Sequence, residues 1–153
     1  MSGLATGEGL QLQLKKTIKT TRETAFAAWT KPEILRKWFG PGQMLPVEAE
    51  VDLRVGGKLR FVIEGVSPRS GQHMQITFEG VFREIVPAKK LSFEWEVAGD
   101  PGESTVVTVE FFDVEGGTEV VLTQDRIPNE ELLGRNKMGW GGMLEKLAEL
   151  TVR

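Results

Sequence analysis

Alternation of apolar and polar residues marks the start of the folded chain. Residues 10–14 read LQLQL, and the alternation continues to Ile18. Because successive side chains of a strand point to opposite faces of a sheet, this period of two predicts a strand with one buried face.

Two short helices are predicted directly after this strand. Thr20 with Glu23, and Thr30 with Glu33, have the spacing of a capping box, in which a hydroxyl and a carboxylate satisfy free N–H groups at a helix start. We therefore expect the helices to begin at these two threonines. The Gly-Pro-Gly run at residues 40–42 is expected to end the second helix, since both residue types interrupt helical backbone.

Six further strands are predicted after the short helices. The clearest is LSFEWEV at residues 91–97, where the four apolar side chains share one face and the polar ones share the other. Short turns, including one at residues 99–102, separate the strands, which is typical of an antiparallel meander. The predicted strands are 44–53, 58–65, 73–85, 90–97, 104–113 and 118–125.

A long helix is predicted for residues 129–153. Asn129 is the expected N-cap, and Glu130 and Glu131 follow it at the positive end of the helix dipole. Apolar residues recur at helical spacing and form one stripe. The stripe consists of Leu133, Trp140, Met143, Leu144, Leu147 and Leu150.

Four glycines also lie in this helix, and each costs about 1 kcal/mol relative to alanine in a helix interior. One explanation is close packing of the helix on the sheet, which needs small residues. The other is that the missing side chains leave volume beside the sheet for a ligand. The glycines are Gly134, Gly139, Gly141 and Gly142, and the methionines expected as adaptable lining are Met44, Met74, Met138 and Met143.

Composition restricts the kind of protein. The 153 residues are 40% hydrophobic and 27% charged with a net charge of -3, which lacks the basic excess that nucleic-acid binding requires. The absence of cysteine rules out disulfides and thiolate chemistry, and fits a cytoplasmic location. No stretch approaches the roughly 20 apolar residues of a membrane span. We expect residues 1–9 to be flexible and residues 10–153 to form one domain.

Few residues suggest catalysis. His73 is the only histidine, and it lacks the neighbouring acidic residues of a triad or a metal site, so we expect it to be exposed. Glu84 has the same strand parity as Phe82, which predicts a carboxylate directed toward the interior. A buried carboxylate needs a partner, and Arg60 or Arg83 is expected to supply it.

The RVGG segment at residues 54–57 resembles a phosphate-binding loop only superficially. It lacks the GK[ST] ending and the helix that should follow, so we interpret it as a hairpin turn. Asp52 and Arg54 are expected to form an ion pair across that turn.

Strand parity and the helix stripe also predict the wall of an interior cavity. Apolar walls with a few polar groups are usual for small-molecule sites, and Gln124 and Asn136 are expected at the mouth. The alternative is a fully packed core, because voids in proteins are rare. No catalytic residue, metal ligand or cofactor is predicted. The predicted ligand-binding residues are Trp38, Phe39, Phe61, Phe78, Phe82, Glu84, Phe93, Trp95, Val109, Phe111, Gln124, Asn136, Trp140 and Met143.

The order β-α-α-β-β-β-β-β-β-α resembles the helix-grip fold of the START and birch-pollen-allergen superfamily, which includes polyketide cyclases. Within it, the chain is most similar to the family of activator of heat-shock protein 90 ATPase homologues. This resemblance implies an α+β fold, with a curved antiparallel sheet of about seven strands around the long C-terminal helix and two short helices between the first two strands. The matching segments are 25–33 (AFAAWTKPE), 38–41 (WFGP), 52–57 (DLRVGG), 80–91 (GVFREIVPAKKL), 105–111, and Gly139-Trp140 with Leu144 and Leu147.

Three functions are compatible with this resemblance, because a fold does not fix a function. The preferred one is non-enzymatic binding of a small apolar or aromatic molecule by a monomer or homodimer. A second is a co-chaperone that stimulates a heat-shock protein ATPase; the eukaryotic activators carry an additional amino-terminal domain, whereas about nine residues precede the first strand here. A third is a cyclase- or hydrolase-type enzyme that uses a pocket carboxylate.

Overall fold

A computed structural model describes residues 9–98 and 104–151 of the chain. The predicted flexible start, apart from Gly9, and the predicted turn at 99–102 lie outside the described residues. The strands are β1 Leu10–Ile18, β2 Leu45–Val51, β3 Lys58–Val66, β4 His73–Val86, β5 Lys90–Val97, β6 Thr105–Val114 and β7 Gly117–Ile127. The helices are α1 Arg22–Thr30, α2 Pro32–Trp38 and α3 Glu130–Thr151.

The seven strands form one antiparallel sheet in the order β1-β7-β6-β5-β4-β3-β2. Strands β2 to β7 are a meander in which each strand pairs with the next. Strand β1 pairs with β7, so the first and last strands of the chain lie side by side. The sheet curves, and the three helices cover the face that we call the concave face. The predicted α+β helix-grip fold is therefore confirmed.

The alternation in the sequence determines which side chains enter the core. In β5, Leu91, Phe93 and Trp95 are buried on the concave face, while Glu94 is exposed on the other. The same parity buries Phe61 in β3 and Val109 in β6. These apolar rows give the sheet one side that must be covered, and the helices cover it.

The two predicted capping boxes are wrong. Thr21, one residue after Thr20, is the N-cap of α1, and its Oγ1 accepts a 3.1 Å hydrogen bond from the backbone N–H of Thr24. The N-cap of α2 is Lys31, which makes no side-chain capping bond. Thr30 still belongs to the last turn of α1, where its hydroxyl donates to the carbonyl of Phe26 at 3.2 Å.

Helix α3 starts as predicted and packs mainly over β1. Oδ1 of Asn129 accepts a 2.9 Å hydrogen bond from the backbone N–H of Leu132 and so caps the helix. The buried residues of α3 are Trp140, Met143, Leu144 and Leu147. Across the described residues, no helix has the length and apolar character needed to cross a membrane.

Candidate functional site

Phe39 lies in the middle of a cluster of rings on the concave face. It directly follows α2, where an extended backbone (φ -77°, ψ 124°) takes the chain out of the helix. Its side chain is 2% exposed, and its ring centroid is 4.8 Å from Phe61, 5.7 Å from Trp95 and 5.9 Å from Trp140. The interior aromatic cluster consists of Trp29, Trp38, Phe39, Phe61, Phe78, Phe82, Phe93, Trp95 and Trp140.

Phe78 forms the accessible border of this cluster. Its ring stacks on Trp95 with centroids 5.0 Å apart and an interplanar angle of 9°, and its side chain is half-buried. Met74 and Ile76, which precede it in β4 with the same parity, are half-buried as well. This part of β4 is therefore one place where the apolar interior is partly accessible to solvent.

A polar network is buried beneath the rings. Oε1 of Gln124 accepts hydrogen bonds from Nε1 of Trp140 at 3.0 Å and from Nδ2 of Asn136 at 3.3 Å. Nε2 of Gln124 donates to Oγ1 of Thr105 at 2.9 Å, and that hydroxyl donates to the carbonyl of Trp95 at 3.1 Å. Gln124 and Asn136 thus come together as predicted. However, Gln124 is 2% exposed and lies inside the core rather than at a mouth.

A small cavity lies beside the cluster. It has a volume of about 10 Å³ and lies between the two short helices and strands β2 to β5. That volume is close to the minimum of about 10–15 Å³ that a single water molecule requires. Its wall consists of Trp29, Leu35, Phe39, Val51, Leu59, Phe61, Phe82 and Phe93.

Four residues of this wall are absent from the predicted ligand-binding residues: Trp29, Leu35, Val51 and Leu59. Trp29 is 5% exposed, and its Nε1–H meets no hydrogen-bond acceptor within the described part of the chain. By contrast, Nε1 of Trp38 donates to the carbonyl of Ala28 at 3.0 Å. The unpaired donor of Trp29 could not be predicted, because it depends on tertiary contacts that no local pattern encodes.

Met143 and Lys146 attach α3 to the loop that follows α2. Sδ of Met143 accepts a 3.1 Å hydrogen bond from the N–H of Gly40. Nζ of Lys146 donates to the carbonyl of Gly42 at 2.8 Å. Burial disfavours the charged ammonium and lowers the pKa of Lys146. Met143 therefore holds the loop that follows Phe39, and its role as a ligand-binding residue stays a prediction.

Glu84 does not face the interior, so its predicted orientation is wrong. A β-bulge lies between Phe82, which pairs with Phe93, and Glu84, which pairs with Ser92. The extra residue reverses the parity, because cross-strand partners share a face. The carboxylate of Glu84 is exposed and lies 3.1 Å from Nζ of Lys90, not beside either predicted arginine. No aspartate or glutamate side chain of the described residues is buried.

The remaining predicted wall residues lie apart from the cavity. Phe111 packs edge-on against Phe26 of α1 with centroids 5.6 Å apart, and Val109 is fully buried in the adjoining core. Met138 was expected to line the cavity but is 81% exposed on the outer side of α3.

The helix glycines do not serve close packing, so that explanation is wrong. A Cβ built on any of the four would meet no heavy atom within 4 Å. Gly134 and Gly142 are exposed, which also contradicts the ligand-volume explanation at these two positions. At Gly139 and Gly141, which are half-buried, the ligand-volume explanation stays a prediction.

Two surface predictions are confirmed. His73 is exposed, with 65% of its side chain accessible, and its Nε2 lies 3.5 Å from a carboxylate oxygen of Glu64. Asp52 and Arg54 form the expected ion pair at 2.9 Å in the turn after β2. Among the described residues, no group of three acidic or histidine side chains is arranged to hold a metal ion.

Solved structures with the same architecture are found in several organisms. A protein from Chromobacterium violaceum has 24% identity over 92% of this chain and 96% of its own, with a TM-score of 0.77. An AHSA1 protein from Silicibacter pomeroyi has 21% identity over 93% and 98%, with a TM-score of 0.78. An HSP90 activator from Plasmodium falciparum has 28% identity over 93% and 96%, with a TM-score of 0.68.

No curated protein matches the chain. The family model described as Activator of Hsp90 ATPase homolog 1-like protein matches residues 19–151, which include both short helices, strands β2 to β7 and helix α3. The chain therefore belongs to the Activator of Hsp90 ATPase homolog 1-like family.

Proposed function

We propose that the protein binds a small apolar or aromatic molecule within its interior aromatic cluster. The observation that carries this proposal is the composition of the concave face, where nine aromatic rings pack together and five of them line an apolar cavity. Small-molecule sites in proteins are commonly lined in this way, with a few polar groups that fix orientation.

Ligand entry requires side chains to move, since a cavity of about 10 Å³ is far smaller than an aromatic ring. We place ligand entry at the half-buried face of β4, where the accessible ring of Phe78 borders the cluster. Val51, at the end of β2, is half-buried and lines the cavity itself. Binding is then coupled to a change in packing, and its affinity is reduced by the cost of that change.

A titration with a neutral apolar dye such as N-phenyl-1-naphthylamine tests the proposal. We expect saturable dye fluorescence with wild-type protein, and binding about tenfold weaker or more in Val51→Phe, because the added ring occupies the cavity border. Val47→Phe is the matched control, since Val47 lies on the same strand and is 50% exposed. Non-saturable dye binding, or equal weakening in both variants, would contradict the proposal.

A second candidate is activation of a heat-shock ATPase. It is favoured by the resemblance to the Plasmodium falciparum protein, which is described as an HSP90 activator and has 28% identity. This function is tested directly by measuring ATP hydrolysis by the heat-shock chaperone of the same organism with and without the protein. A rate that increases with protein concentration and saturates would support this function, and an unchanged rate would remove it.

The enzyme alternative requires a pocket carboxylate, and Glu84, which was expected to face the interior, lies at the surface. The proposal also includes a cytoplasmic location and a monomeric or homodimeric state for the protein.

A further inference from the structure

The unpaired indole N–H of Trp29 and the small cavity occur together. Trp29 is one of the eight residues that line the cavity, and it carries the only polar side-chain atom among them. The other seven side chains are hydrocarbons. A buried donor without an acceptor is rare in native proteins, and each case calls for an explanation.

A water molecule explains this donor poorly. A buried water is typically held by two to four polar partners. Among the side chains of this wall, only Trp29 offers a hydrogen bond. An apolar molecule with a single acceptor group satisfies the same donor and fills the apolar surroundings.

Two indoles pack against Trp29, and both of them have hydrogen-bond acceptors. The ring of Trp29 lies 4.8 Å from Trp38 in an edge-on contact and 6.1 Å from Trp140 in a stacked contact. Trp38 donates to the carbonyl of Ala28, and Trp140 donates to Gln124. Two of these three packed indoles therefore have acceptors, and only the N–H donor of Trp29 is left for a bound molecule.

We propose that Nε1–H of Trp29 is the hydrogen-bond donor for the bound ligand, and that this ligand is a small aromatic or alicyclic molecule with one uncharged acceptor, such as a ketone or ester carbonyl. This inference rests on the proposed ligand-binding function and names its ligand class. The acceptor is uncharged because no cationic side chain lines the cavity, and an unpaired carboxylate is very costly to remove from water.

Three one-ring probes test the inference by NMR titration at neutral pH: acetophenone, ethylbenzene and benzoate. In Trp29→Phe we expect the dissociation constant of acetophenone to increase about tenfold, and that of ethylbenzene to change less than about twofold, because only the ketone loses a hydrogen bond. Benzoate should bind wild-type protein about tenfold more weakly than acetophenone or worse.

Trp38→Phe is the matched control. It also replaces a buried indole by a smaller ring, but the donor that it removes already has an acceptor. It should alter the dissociation constants of acetophenone and ethylbenzene by the same factor. In wild-type protein, the Trp29 indole proton should shift downfield with acetophenone and not with ethylbenzene. This spectral reading holds even if the Trp29→Phe variant fails to fold.

The outcomes separate the two proposals. If acetophenone and ethylbenzene bind but respond equally to Trp29→Phe, or if the Trp29 proton does not respond to the ketone, the role of Trp29 is overturned and ligand binding stands. If benzoate binds as tightly as acetophenone, the uncharged class is wrong. If none of the probes binds in a saturable way, both proposals are overturned.

Discussion

Nε1 of Trp140 donates a 3.0 Å hydrogen bond to Oε1 of Gln124 and so joins α3 to strand β7 inside the core. Trp140 is 3% exposed and Gln124 is 2% exposed, so neither group has access to water as a substitute partner. The same amide also bonds to Thr105 and Asn136. One buried glutamine therefore fixes the position of the long helix over the aromatic cluster.

Replacing this glutamine should destabilise the protein. In Gln124→Leu the indole N–H of Trp140 loses its acceptor, and we expect the free energy of unfolding to fall by about 1–3 kcal/mol. Gln13→Leu in the exposed row of β1 is the matched control and should change it by less than about 0.5 kcal/mol. Urea denaturation measures both, and similar losses in the two variants would show that the buried network contributes nothing special.

Helix α3 should gain stability from alanine at Gly142, one of its two exposed glycines. A Cβ at this position would meet no heavy atom within 4 Å, so Gly142→Ala should raise the free energy of unfolding by about 1 kcal/mol through helix propensity alone. Gly80→Ala should lower it, because its Cβ would clash with the backbone carbonyl oxygen of Glu94. A loss of stability in Gly142→Ala would mean that this face of α3 is covered in solution.

The pH dependence of stability should reveal Lys146. Burial lowers its pKa in the folded protein, so between the folded and unfolded pKa values the unfolded chain holds more protons. The free energy of unfolding should therefore rise with pH in the range just below the ordinary lysine pKa. Lys146→Arg keeps the charge and the donors but does not titrate there. We expect the stability of wild type relative to this variant to increase with pH; a constant or falling difference would contradict the assignment.

The sheet was predictable because burial of one face imposes a period of two. Leu91, Phe93 and Trp95 illustrate this, since each is buried on the concave face as the sequence pattern predicts. Glu84 shows the limit of the same rule. A single bulge after Phe82 reverses the parity, and no residue in the sequence marks its position.

The candidate site was predicted less completely than the fold. Phe39, Phe61 and Trp95 meet as expected, because each belongs to an apolar row or follows a helix end. Trp29 was missed as a wall residue, since its role depends on which acceptors the folded chain leaves within reach. Likewise, the adjacent threonines at 20 and 21 are both good caps by residue type. In the fold, the carbonyl of Thr20 accepts a hydrogen bond from Thr118, and Thr21 caps the helix.

Chemical-shift mapping with ethylbenzene tests ligand binding within the interior aromatic cluster most directly. We expect saturable shifts of the indole signals of Trp29, Trp95 and Trp140 and of residues around Phe39 and Phe61. Shifts that do not saturate, or that are confined to exposed apolar residues such as Val55, which is 64% exposed, and Met138, which is 81% exposed, would contradict an interior ligand site.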